Sequence, residues 1–449
     1  MPRLVNNLNP IPMRRLPLFL FLLISIGTHA QKGGFVLQEA RPETVGMSSE
    51  RLQRLDRMVQ MYIDSGRQAG VAVLIARNGK IVHHKAYGYD DLARKTALRR
   101  DAIFRIASQT KAITSMGVLM LYEEGKFLLD DPISKYLPAF KTMTVLDKFD
   151  DKDSSFTTVP AKREITIRSL LTHTSGLGYP GIGSKEANSI YAKYRIPSGI
   201  GTPNANLADA VNQLGKLPLM SQPGDRWMYS VGIDVLGRLI EVVSGQTLDQ
   251  FLRARLFEPL GMNDTFFYLP APKHNRLTNL YTEDKDKKIV PFPTQGGLRQ
   301  DYPNQPGTFY SGGAGLQSTL MDYAIFLQMV MNGGEYNGKR VLSPTTIRMA
   351  LMNQIGDLNV GDSKFGLGFA LKSTKSAARL PVSEGAFEWS GYFGTTYWAD
   401  PKEGIIALVY TQKVPNSYAD LNDKFRVMVY QAITELKEEK EKAGKGEGN

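Results

Sequence analysis

The 449-residue sequence has no cysteine, which excludes disulfides, thiolate catalysis, cysteine zinc sites and a lipid-anchored N-terminal cysteine together. An oxidising compartment is permitted but not demanded. Histidine is scarce as well, with five in the chain. His29 falls in the N-terminal leader, His83 and His84 alternate across a strand pattern, and His274 is isolated, so no metal site is expected. No Gly-x-Ser-x-Gly elbow is present, which removes the main signature of a Ser-His-Asp site even though His173 stands close to Ser175. Lysine and arginine exceed the acids, 55 to 44, for a net charge of +11. They are interspersed with acids rather than clustered between aromatics, so nucleic acid is not an expected partner.

Long apolar runs are missing too. The longest opens the chain, where Arg3, Arg14 and Arg15 precede the stretch Leu16 to Gly27 and then Thr28-His29-Ala30. That run is shorter than the roughly 20 residues a membrane span needs. Small residues stand where a signal peptidase reads, so residues 1–30 are expected to be a signal peptide cut after Ala30. Cleavage would lower the formal charge from +11 to +8 and leave no stable membrane span, with the mature chain periplasmic or secreted.

What is present is ordinary globular material, 42% hydrophobic and 22% charged, enough for a sizeable core without staples. Met47 to Ile63 places Leu52, Leu55, Met58, Val59 and Tyr62 at helical spacing after Ser48 or Ser49 as N-cap. Val71 to Ala76 and Lys80 to Ala86 read as strands joined through Asn78-Gly79, a dipeptide suited to a type I′ hairpin. From Ser108 to about Val330 the pattern is mostly helical, broken by long loops near 178–206 and 285–315 of the kind that shape clefts. Phe387 to Tyr392, Thr395 to Trp398 and Ile405 to Tyr410 read as three strands, followed by a helix from about Leu421. The expectation is an α/β (α+β) fold: one antiparallel sheet built from both chain ends and flanked by helices, with an inserted helical domain. Residues 31–442 would form the domain, with 46–106 and 331–442 as its α/β part and 107–330 as the helical part. Residues 443–449 would be a disordered tail.

Ser108-Gln109-Thr110-Lys111 opens one of these helices. Residues three apart share a helix face, so the Lys111 amine can reach the Ser108 hydroxyl and share its proton. Alone, Ser-x-x-Lys also fits an ordinary helix start with a solvated lysine. Two further stretches keep it company: Tyr229-Ser230-Val231 ahead of a helix, and Trp389-Ser390-Gly391 in a C-terminal strand.

With these three stretches the chain resembles the serine β-lactamase and penicillin-binding protein superfamily, in its class C-like branch of esterases and D-amino-acid peptidases. The resemblance spans roughly residues 45–435. It extends over Ser169-Leu170-Leu171-Thr172-His173-Thr174-Ser175-Gly176-Leu177, Pro223-Gly224 through Trp227, Tyr229-Ser230 to Leu236-Gly237, Glu258-Pro259-Leu260-Gly261-Met262 with Thr265, and Gly312-Gly313-Ala314-Gly315-Leu316 with Ser318 and Asp322. It implies Ser108 as acylated nucleophile, Lys111 as its proton partner and Tyr229 as base, and it implies an oxyanion hole made by the backbone N–H groups of Ser108 and Tyr392. Trp389, Ser390, Gly391 and Val231 would contact substrate, and no cofactor is needed. His173 is a landmark of the resemblance, expected to bond within its own turn and left outside the site.

Two departures bear on substrate. The third motif of β-lactamases and peptidoglycan peptidases normally begins with a lysine that holds a carboxylate, and here Trp389 stands there. The second often ends in asparagine, and here it ends in Val231, which cannot replace the amide's hydrogen bonds. Both favour a carboxylesterase for small uncharged acyl esters over a β-lactamase or D-amino-acid peptidase, unless Arg105, Arg299 or Lys413 supplies the missing cation. A non-catalytic peptidoglycan-binding protein is the remaining alternative.

Overall fold

The computed structural model describes residues 1–2, 36–202, 204–294 and 298–437. The leader and tail expectations lie outside them, apart from the first two residues. The opening helix runs Ser49–Asp64, with the Ser48 side chain accepting from the Arg51 amide. It buries Leu52, Leu55, Met58, Val59 and Tyr62, the stripe its spacing predicts. Strands Gly70–Arg77 and Lys80–Asp91 pair in antiparallel register. The turn between them holds Asn78 and Gly79 both at positive φ, 48° and 72°, as a type I′ hairpin requires.

The closing strands Phe387–Gly391, Thr395–Asp400 and Ile405–Tyr410 complete the sheet. Ile405–Tyr410 pairs with Gly70–Arg77, so the two ends of the chain meet at the sheet's centre. The sheet has nine strands among the described residues and is antiparallel except where Gln38–Glu39 runs parallel to the start of Lys80–Asp91. Its central strands are buried on both faces, which is why Ile405–Tyr410 reads as an unbroken apolar run. Val71, Val73, Ile75, Ala407 and Val409 pack under the opening helix and the closing helix Asp420–Tyr430. The alternate residues Ala72, Leu74, Ile406 and Leu408 face the inserted segment, in one core with Met116, Leu119, Phe326 and Leu327.

That inserted segment is less uniformly helical than its sequence suggests. Hairpins at Thr144–Phe149 with Phe156–Pro160, and at Tyr281–Glu283 with Ile289–Pro291, were not expected. Most of their side chains are exposed or half-buried, so they lack the apolar alternation that announces a core strand. No helix among the described residues is long and apolar enough to cross a membrane.

Candidate active site

Ser108 lies in a 3₁₀ turn, Ala107–Gln109, immediately before the helix Thr110–Glu123. Ala107 takes φ 43°, a left-handed conformation rare for a residue with a Cβ and of the kind found where a side chain must be presented sharply. The turn is pinned from several sides. Phe104–Arg105 pairs with Gln317–Ser318, Ile106 N donates to Leu316 O, and the hydroxyls of Tyr323 and Tyr410 donate to the Gln109 carbonyl and side-chain oxygen at 2.9 and 2.6 Å. The helix that follows is buried on nearly every side, so Lys111 is only 2% exposed and the solvated-lysine alternative fails.

The Tyr229 and Ser108 hydroxyl oxygens are 2.6 Å apart, close enough for either to donate. The Lys111 amine donates to the Gly313 carbonyl at 2.7 Å and sits 4.6 Å from the centre of the Tyr229 ring. Behind Gly313 lies a residue the sequence reading passed over. The buried Asp234 carboxylate accepts from Ser311 Oγ at 2.6 Å and from Gly313 N at 3.2 Å. Burial raises its pKa, opposed by Ser311 and by the Lys111 charge. A Cβ on Gly313 would stand 2.6 Å from Asp234 and 3.4 Å from the Lys111 amine, so only glycine lets the three groups approach.

Tyr229 is clamped by rings. Tyr179 stacks on it at 5.2 Å and 5°, and Trp389 leans on it at 5.7 Å. His173 lies 5.0 Å away. The expectation for His173 is corrected: it takes φ 57°, and its Nδ1 reaches out of its own turn to Ser230 Oγ at 3.1 Å. Burial first, then the Lys111 charge, holds its pKa well below the usual histidine value, so it is a neutral support.

Ser108 and Tyr392 line a cleft of about 650 Å³, walled by residues between Tyr179 and Thr202, by Ala205 and by Leu298. Among the described residues no backbone carbonyl accepts the N–H of either Ser108 or Tyr392. The four expected contact residues fall elsewhere. Val231 is 2% exposed in the main core, and its N–H is spent on Gly178 O. Trp389 joins Trp227, Phe365 and Ile355 in an apolar cluster behind Tyr229. Ser390 is exposed outside the cleft lining. Gly391 was expected to admit substrate, yet the atoms nearest its missing Cβ are the Ile106 carbonyl and Thr395 Oγ1, both at 2.3 Å. Its glycine lets the strand press against the nucleophile turn. The three candidate substitute cations are also spent: Arg105 on Thr278 O, Gln300 O and Gln412, Arg299 on Asp301, and Lys413 on Glu283 and Arg67 O.

A model of the Beta-lactamase family matches residues 55–430. Esterase EstB of Burkholderia gladioli is 30% identical over 372 residues, covering 80% of this chain and 89% of its own. A putative D-alanyl-D-alanine carboxypeptidase of Escherichia coli K12 is 28% identical over 437 residues, covering 91% and 93%. Among solved structures, EstCE1, a hydrolase with promiscuous acyltransferase activity, superposes with a TM-score of 0.71 at 27% identity, covering 85% of this chain and 98% of that one. The chain belongs to the Beta-lactamase family, as a serine hydrolase of the β-lactamase fold.

Proposed function

We propose that this protein is an exported carboxylesterase of the class C-like branch, working through an acyl-enzyme on Ser108. The observation that carries the reading is the 2.6 Å approach of Tyr229 Oη to Ser108 Oγ beside a buried Lys111. In this scheme Tyr229, assisted by Lys111, takes the Ser108 proton as Oγ bonds to the ester carbonyl carbon. The N–H groups of Ser108 and Tyr392 hold the oxyanion, and Tyr229 returns the proton to the departing alkoxide. Water then attacks the acyl-enzyme as Tyr229 accepts its proton, and Tyr229 passes that proton to Ser108 Oγ as the bond to the acyl carbon breaks and the acid departs. Trp389 in place of the third-motif lysine, together with the pairing of Arg105, Arg299 and Lys413, favours esters over substrates held by a carboxylate beside the scissile bond.

The purified mature chain is to be offered a short-chain p-nitrophenyl ester, nitrocefin and a D-Ala-D-Ala peptide side by side. Turnover of the ester, an activated-serine probe adduct on Ser108 by mass spectrometry, and loss of both in Ser108→Ala are the expected results. Turnover of only the last two substrates would replace the esterase reading by the β-lactamase or D-amino-acid peptidase one. Sacculus binding that survives Ser108→Ala with no turnover of any substrate would favour the non-catalytic alternative. Export predicts a secreted or periplasmic chain beginning at Gln31.

A further inference from the structure

One charged side chain stands among the described residues that line the cleft. It is Arg195, an exposed cation in a wall otherwise made of uncharged groups such as Ile182, Ile196, Ile200 and Leu298. No ion pair or side-chain hydrogen bond engages its guanidinium among the described residues, whereas the other cations considered for the site are all paired.

Its backbone is as informative as its charge. The helix Lys185–Lys193 ends in a Schellman motif: Arg195 N donates to Ala192 O and Ile196 N to Tyr191 O. Arg195 occupies the left-handed position of that motif, at φ 54°, where glycine is the unstrained residue. A long cationic side chain is therefore held at a position that disfavours any side chain, and no other charged residue is among the described residues lining the cleft. Strain at such a place is a pointer to function rather than to stability.

We propose that Arg195 is a specificity-determining residue that receives a carboxylate carried at the far end of the substrate. This rests on the esterase reading and alters one part of it: the preferred acyl chain is apolar along its length and anionic at its tip. The apolar wall accepts the methylene chain, and the rim guanidinium pairs with the carboxylate by charge-assisted hydrogen bonds.

The test compares two p-nitrophenyl esters of equal chain length, the octanoate and the mono-ester of suberate. The suberate-to-octanoate ratio of kcat/KM should fall about fivefold in Arg195→Gln, the worth of a well-formed exposed ion pair, and the wild-type ratio should decline with added salt. Arg195→Gly should lose the same preference while melting no lower than wild type, because glycine relieves the left-handed strain. A cation kept only to stabilise the helix C-terminus would instead lower the melting temperature with the ratio unchanged, which overturns the proposal. Calorimetry on Ser108→Ala separates this inference from the esterase reading. Monomethyl suberate should bind more tightly than methyl octanoate, and the added Arg195→Gln change should abolish the difference. If neither ester is turned over but this binding preference appears, the esterase reading falls and the carboxylate subsite stands. If no binding preference appears, the subsite falls.

Discussion

At the scale of single residues, the least expected participant is Asp234. Its carboxylate holds Ser311 Oγ and the Gly313 amide, while the Gly313 carbonyl holds the Lys111 amine. One glycine thus links a buried acid to a buried lysine, and the Lys111 charge offsets part of what burial costs the carboxylate. Replacing Asp234 with asparagine keeps the shape and an acceptor oxygen but removes the charge. We expect kcat/KM for an activated ester to fall at least tenfold and probe labelling of Ser108 to slow in parallel, with far-UV circular dichroism unchanged. Rates within about twofold of wild type would exclude Asp234 from the machinery. Ser108, Lys111 and Tyr229 were legible because each sits in a block whose spacing resembles that of the family. Asp234 lay inside such a block yet was passed over, although an acid set between Ile233, Val235 and Leu236 on a helix with a buried face was a usable signal. Tyr179 carried no comparable signal, because it matters through stacking on Tyr229, a residue far from it in the sequence.

At the scale of elements, the decisive arrangement is the approach of the strand Phe387–Gly391 to the nucleophile turn. Gly391 leaves no room for a Cβ against Ile106 O and Thr395 Oγ1, so the strand's end and the amide of Tyr392 are set by contact with the residues that carry Ser108. Gly391→Ala should push the two apart and misalign the Tyr392 amide relative to that of Ser108. The expected loss in kcat is about a hundredfold, the scale for removing one oxyanion donor, with a melting temperature that shows the variant still folds. A folded variant with unchanged kcat would remove Tyr392 from the oxyanion hole. The hairpin Gly70–Arg77 with Lys80–Asp91 and the three closing strands were readable, because Asn78-Gly79 dictates its own turn and the closing strands bury side chains in the sheet. The 144–160 and 281–291 hairpins were not. They are held largely by backbone pairing at the surface, which leaves little mark on hydrophobic pattern.

At the scale of the whole molecule, the fold depends on closing a sheet whose central strands come from opposite ends of the chain, Gly70–Arg77 from one and Ile405–Tyr410 from the other. Such pairing is costly in chain entropy until it forms. Arg77, at the end of the first strand and 1% exposed, secures it. Its guanidinium donates to Gly46 O at 2.8 Å, Glu435 O at 2.8 Å, Glu403 O at 3.1 Å and the Glu403 carboxylate at 2.9 Å. One side chain therefore joins the turn ahead of the opening helix, the turn between the closing strands and the segment after the closing helix. Arg77→Ala would strand the 6%-exposed Glu403 and three carbonyls without that donor, and a buried pair broken on one side costs about 3–5 kcal/mol. Urea unfolding should show a loss of that size. Adding Glu403→Gln should recover part of it, because the second change removes the buried charge that the first leaves behind. A loss below about 1 kcal/mol would show that backbone pairing alone holds the chain ends together. Full probe labelling of Ser108 in the folded Arg77→Ala protein would confirm that this clasp serves the sheet and not the chemistry, since Ser108 is held by Leu316, Tyr323 and Tyr410 through its own turn.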